Sequence, residues 1–167
     1  MSKKNPLTPI DFDFGVGKII PATQEAHQDD GFDGQVRKTE KEALSVFKTA
    51  LGSELDSKLA GNEQFPTDGE VFVFIVQYFG AEKEYRRRDV DNMAKTVLDV
   101  SKGRFYRDDS QVKTLLVGKK LEKRVPQDFA YVAIKRLSSS QDVDALKISG
   151  LERSVTMFQE LKSKKIL

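Results

Sequence analysis

Residues 70–79 read Glu-Val-Phe-Val-Phe-Ile-Val-Gln-Tyr-Phe, and this stretch restricts the architecture more than any other. β-branched and aromatic residues fill it without polar alternation, the pattern of a strand covered on both faces. Gly61, Asn62, Pro66, Asp68 and Gly69 just ahead of it are turn residues. So apolar a strand belongs in the middle of a sheet. Phe72, Phe74, Val76 and Tyr78 are therefore read as core side chains rather than as a platform for stacked bases. The 167 residues leave room for one such core and its appendages.

Helical periodicity flanks the strand. Ala43, Leu44, Val46, Phe47, Ala50 and Leu51, extended by Leu55 and Leu59, predict an amphipathic helix over 39–60, with Thr39 and Glu42 as a capping box and a disturbance at Gly52. A second helix is expected over 89–100, with Val90, Met93, Ala94, Val97 and Leu98 on one stripe. Residues 112–117 and 129–137 are strand candidates, separated by a basic turn over 118–124 and Pro126. The first 35 residues, rich in Pro and Gly, offer one short extended candidate over 16–20. Residues 138–141 read as a linker, and 143–161 have helical periodicity before the basic tail 162–165.

Composition removes much chemistry. Without cysteine there is no disulfide, thiolate nucleophile, zinc ribbon or iron-sulfur cluster. The single histidine, His27, lies in a polar Gly- and Asp-rich stretch, read as a solvated loop. Carboxylate, lysine, arginine and hydroxyl groups remain, and carboxylate sites favour hard cations such as magnesium or manganese. The longest apolar run, 71–76, falls far short of the roughly 18 residues that span a bilayer. The N-terminus has basic residues with no apolar stretch behind them, so neither a membrane span nor a cleaved signal is expected, and the cytoplasm is the default address.

A net charge of +2 conceals a strong asymmetry. Residues 83–124 hold 13 Lys/Arg against 7 Asp/Glu, whereas 1–34 hold 3 against 6 and 35–82 hold 5 against 8. A basic concentration is the footprint expected for phosphate binding, although many basic runs are only solvated faces.

Within that stretch, Tyr85-Arg-Arg-Arg-Asp-Val-Asp-Asn-Met-Ala-Lys95 is followed by Asp99 and then by Asp108-Asp-Ser-Gln-Val112. Residues two apart on a helix point about 200° apart, so Asp89 and Asp91 converge only if Asp89 stands at the helix entrance. Asp91 and Lys95, at i and i+4, share a face. If the loop ahead of Val112 brings Asp108 or Asp109 beside Asp91, then carboxylates, an ammonium and the Arg86, Arg87 and Arg88 guanidiniums gather at one spot. That collection suits metal-assisted phosphodiester hydrolysis, with the arginines gripping backbone phosphates. The purely structural alternative stands beside it. Asp89 would be an N-cap, Asp91 a partner of the helix dipole, Lys95 part of an ion-pair ladder and Asp108-Asp109 a turn. Phe105 and Tyr106, between Arg104 and Arg107, are candidates for stacking on splayed bases, with packing over a helix end as the alternative.

The run from Arg86 to Lys95, then Leu98-Asp99, then Asp108-Asp-Ser-Gln-Val112, resembles the signature of the RusA family of Holliday junction resolvases, small magnesium-dependent endonucleases of phage and prophage origin. The likeness covers about residues 70–137, with its specific core in 86–112. It implies an α+β fold, a mixed β-sheet with packed helices, and a dimer acting on branched DNA. It also implies that Asp89, Asp91 and Asp109 are metal-binding catalytic aspartates and Lys95 the catalytic lysine, with Asp108 a neighbouring acid. Lys119, Lys120, Lys123 and Arg124 join the arginine triplet as expected backbone contacts. The implied organisation is an N-terminal arm or lead-in strand over 1–35, the nuclease domain over 36–137, and a linker with an extra C-terminal helix over 138–167. The Pro-Pro-Ser-x-Asn type loop common at the start of the family is missing from 1–35.

The expected activity is magnesium-dependent resolution of four-way junctions, with manganese as the alternative ion, in bacterial or phage-infected cytoplasm. A junction has approximate two-fold symmetry and needs two cuts, so a homodimer is expected, with the amphipathic segments 39–60 and 143–161 as candidate interfaces. The competing reading is a non-catalytic DNA-binding or recombination accessory protein. A nucleotide-handling enzyme would need a Gly-rich phosphate loop that the sequence does not contain.

Overall fold

Four strands form one mixed sheet in the order β1-β4-β2-β3 in a computed structural model that describes residues 10–22, 34–137 and 163–164. The strands are β1 (Phe12–Val16), β2 (Val71–Phe79), β3 (Val112–Leu121) and β4 (Phe129–Arg136). β4 lies antiparallel to both β1 and β2, and β3 runs parallel to β2. The apolar run thus forms an internal strand, as its composition demands, and the chain is α+β. The 26-residue helix α1 (Gly34–Leu59) precedes β2, and α2 (Glu82–Arg87) and α3 (Val90–Ser101) form the crossover from β2 to β3.

The main core lies between the sheet and the long helices. Val71, Val73, Ile75 and Phe79 of β2 and Val132 and Ile134 of β4 meet Phe47, Leu51 and Leu55 of α1 and Met93, Val97 and Val100 of α3. On α1 the buried stripe is narrower than the sequence pattern suggests: Phe47, Leu51 and Leu55 are buried, while Ala43, Val46 and Ala50 are exposed. The helix starts at Gly34, so the predicted start at Thr39 is corrected to a point inside it. Nor does Gly52 disturb it. A Cβ there would fall 2.5 Å from the Arg104 guanidinium, which crosses the helix at this point to bond Asp56 at 2.8 and 3.2 Å and the Val100 carbonyl at 2.8 Å.

The lead-in strand lies at Phe12–Val16 rather than at 16–20. Phe14 and Val16 are buried, alternating with exposed Asp13 and Gly15, and Asp and Gly are poor strand formers whose presence hid the period. Ile20 is buried instead in irregular chain, held by its amide donating to the buried Gln77 Oε1 at 3.0 Å. The predicted basic turn over 118–124 also moves, because β3 continues to Leu121. His27, the linker 138–141 and the segment 143–161 lie outside the described residues. No helix among the described residues is long and apolar enough to cross a membrane.

Phe105 and Tyr106 do not form a stacking platform, and that expectation is corrected. Both are fully buried, Phe105 with its ring 5.1 Å from Phe12, 5.3 Å from Phe65 and 6.0 Å from Phe14, stacked on the last. Their arginine neighbours turn outward to Asp56 and Asp68, leaving the rings to close the core beneath the end of α3. Phe105→Ala is expected to cost about 3–5 kcal/mol, read as a lower denaturation midpoint. A base-stacking residue would leave that midpoint unchanged.

Candidate active site

Asp89 and Asp91 stand at the start of α3. Asp89 is the N-cap residue, in extended backbone (φ −97°, ψ 129°), yet its carboxylate makes no capping hydrogen bond. Asp91 occupies the first turn. Among the described residues, the side chains of Asp89, Asp91 and Lys95 take part in no hydrogen bond or ion pair, and all three are exposed. The structural explanation by capping and ion-pair ladder therefore fails for these groups, because Lys95 pairs with neither Asp91 nor Asp99. Asp99 pairs instead with Lys48 of α1 at 2.8 Å.

The second acidic pair lies elsewhere. Asp108 caps a short 3-10 turn, Asp109–Gln111, accepting from the Ser110 amide at 3.1 Å and its hydroxyl at 2.6 Å. The Gln111 Oε1 returns the bond by accepting from the Asp108 amide at 3.0 Å, completing a capping box. Lys102, the C-cap of α3, lies 3.3 Å from Asp108 and 3.6 Å from Asp109. Asp108 and Asp109 thus sit at the C-terminal end of α3 and Asp89 and Asp91 at its N-terminal end. Twelve residues of helix, about 18 Å, lie between them. The expected gathering at one spot does not occur within a single chain. Among the described residues no three His, Cys, Asp or Glu side chains are grouped to hold a metal ion.

The charge of Asp108 is set by its neighbours. The Ser110 hydroxyl bond, the Ser110 amide and then Lys102 hold the Asp108 carboxyl down from 3.8 to about 2. Asp108, by its hydrogen bond, and Asp109, by its charge, raise the Lys102 ammonium in turn. Burial raises the Tyr106 hydroxyl, reinforced by the charges of Asp109 and Asp99, and that hydroxyl donates to the Leu98 carbonyl at 3.0 Å.

The expected DNA-contacting cations divide into groups. Arg86 and Arg87 are exposed on α2, paired with Glu82 at 2.5 Å and Glu84 at 3.6 Å. Arg88 is half-buried against Glu84 at 3.2 Å. Lys119 and Lys120 share a strand and so point to opposite faces. Lys120 is exposed, while the half-buried Lys119 donates to the backbone carbonyls of Tyr85 at 2.7 Å and Arg88 at 2.8 Å. Lys123 is exposed, and Arg124 bonds Glu122 at 2.8 and 3.0 Å, holding that carboxyl near 2. Sequence reasoning missed α2, although Glu82–Arg86 and Glu84–Arg88 are both i, i+4 pairs oriented to favour a helix. It also missed Lys102 as the partner of the second acidic pair.

The RusA endodeoxyribonuclease family model matches residues 21–134, most of the chain. No curated protein matches the sequence. The match includes α1, β2, the α2–α3 crossover, β3 and nearly all of β4. The chain belongs to the RusA endodeoxyribonuclease family, whose members act on branched DNA junctions.

Ionised Asp108 is the form that accepts the Ser110 bonds. Their contribution is therefore complete above the ordinary carboxyl value of about 3.9 and is lost as the pH falls through about 2. In an NMR titration Asp108 is expected to protonate near 2, and Ser110→Ala to bring that midpoint up toward the ordinary value. An unchanged midpoint in the variant would assign the depression to the residue 110 amide and Lys102 instead.

Proposed function

We propose that this protein resolves four-way DNA junctions as a homodimer, by metal-dependent hydrolysis of phosphodiester bonds. The observation that carries the reading is the pair Asp89 and Asp91, two exposed carboxylates at the start of a helix, neither committed to a cap nor to an ion pair. Magnesium typically takes one or two protein carboxylates and completes its shell with phosphate oxygens and water, a demand that this pair fits. Asp89 and Asp91 would hold the magnesium or manganese ion, which would supply polarisation of the phosphoryl group and a lower pKa for a bound water. Lys95, one turn beyond Asp91, offsets negative charge gathering on the phosphoryl oxygens. Exposed Arg86, Arg87, Lys120 and Lys123 hold the flanking backbone.

Asp109 enters through the second copy. Within one chain it is about 18 Å of helix away from the pair. A closed two-fold dimer can set the Asp109 end of one α3 against the Asp89 end of the other. Two such composite sites would face the two strands that a junction presents for cutting. The second reading, a catalytically silent junction-binding protein, is favoured by the lack of a three-acid group among the described residues of one chain.

Asp89→Asn, Asp91→Asn or Asp109→Asn is expected to lower cleavage of a labelled four-way junction by orders of magnitude, with junction binding kept or tightened. Mixing the Asp91→Asn and Asp109→Asn proteins tests the shared site directly. In a mixed dimer one composite site receives both substitutions and the other receives neither, so single-strand nicking returns. If each chain builds its own site, the mixture stays inactive. If wild type fails to nick branched DNA with magnesium or manganese, the silent-protein reading stands.

Lys95 is tested separately. Lys95→Ala is expected to remove most turnover while the melting temperature stays within the shift that about 1 kcal/mol produces. Intact turnover would return Lys95 to the surface.

A further inference from the structure

Lys119 belongs to the basic stretch, but its ammonium is spent inside the protein. It donates to the Tyr85 carbonyl at 2.7 Å and the Arg88 carbonyl at 2.8 Å, and lies 4.6 Å from the centre of the Tyr85 ring. An ammonium has three donors, so two are used here and the ring face covers the group as well. The carbonyls are those that a helix end leaves without partners, at the pole where a cation is favoured. Tyr85 is in α2 and Arg88 is its C-cap. The carbonyl of Arg88 belongs to the same planar peptide unit as the amide of Asp89.

This peptide leads the chain into α3 at the candidate site. Asp89 and Asp91 diverge by about 200° if both are helical. They converge only while Asp89 keeps its extended backbone outside the first turn. No capping bond from its own side chain holds it there. The anchor comes from β3: Lys119 stands beside Gln77 of β2 in the register, and Gln77 is fully buried and hydrogen-bonded to the Ile20 amide. Lys119 therefore grips the α2–α3 junction from the edge strand β3, which is paired along its length with the internal strand β2. We infer that Lys119 is a positioning residue for the Asp89–Asp91 site, setting the entry of the chain into α3, and not a contact to DNA phosphate.

The inference rests on the nuclease reading, and one set of measurements separates the two. Lys119→Met keeps the aliphatic stem and removes the donors. Misplacing reacting groups by about 1 Å can cost about 100-fold in rate, and a loss of that order in cleavage of saturating four-way junction is expected. A higher magnesium concentration for half-maximal rate should accompany it. Junction affinity and its salt dependence should stay at wild-type values, whereas loss of a phosphate contact would flatten the slope of log affinity against log salt by about 0.9. Lys119→Arg, which can reach both carbonyls, should recover much of the rate.

A flattened slope with magnesium dependence unchanged would overturn the inference in favour of a DNA contact. A lower melting temperature with full turnover would overturn it in favour of a purely structural brace. If Lys119→Met does not fold, Lys119→Gln, whose shorter amide cannot hold both carbonyls as the ammonium does, is measured instead, and full turnover in it overturns the inference equally. An inactive wild type overturns the nuclease reading and this inference together. An active wild type with an equally active Lys119→Met removes only the role of Lys119.

Discussion

Parallel pairing of β2 with β3 is the constraint from which the rest of the structure follows. Two adjacent parallel strands cannot be joined by a tight turn, so the chain must travel back along the sheet before β3 begins. In this protein α3 makes that journey, and its apolar stripe of Met93, Val97 and Val100 seals the main core on the way. The same journey decides where chemistry can occur. Every residue just before α3 lies at one end of the sheet, and every residue just after it at the other. The signature acids fall on both sides of this division, so a fold that satisfies the core separates them by about 18 Å within one chain.

The basic stretch gains a structural interpretation from the same geometry. A surplus of positive charge in sequence does not equal a surplus facing solvent, because several of its cations have internal work. Lys119 covers carbonyls at the end of α2, Arg104 crosses α1 at Gly52, and Lys102 neutralises the Asp108–Asp109 turn. Arg86, Arg87 and Arg124 have acidic partners, but these pairs are exposed, and such pairs contribute little net stability. They can exchange a carboxylate for a phosphate without disturbing the core. Lys119 lacks that freedom, since releasing it would strand two carbonyls at a helix end.

Much of the fold was legible because its signals are local. The run 71–79 announced an internal strand, and the stripe from Val90 to Leu98 announced α3 to within a residue at either end. What escaped depended on tertiary partners. β1 carries Asp13 and Gly15 at its exposed positions and is recognisable as a strand only through pairing with β4. Gly52 resembles a helix breaker until Arg104, distant in sequence, is seen to require the space. Phe105 and Tyr106 between two arginines resemble a nucleic-acid motif, but the arginines turn outward to acids and the rings inward. The acid residues of the candidate site were readable by type and spacing, whereas their distribution over two ends of one helix follows from topology, which spacing does not encode.

The different states of the four acids reinforce that division. Asp108 accepts both Ser110 bonds on one oxygen within its own turn and meets Lys102 with the other, and these partners together lower its pKa. An oxygen so engaged has little left for a cation. Asp109, adjacent and with Lys102 as its ion-pair partner among the described residues, keeps its lone pairs more accessible. At the other pole Asp89 and Asp91 stand at the N-terminus of α3, where the helix dipole attracts negative charge without consuming their oxygens. The two poles of α3 thus carry their acids in different surroundings, with a capping box at one and bare helix polarity at the other. Carboxylates with uncommitted oxygens are what a hard cation requires of its protein ligands. Under the proposed function, bringing the two poles together is the work of the second copy.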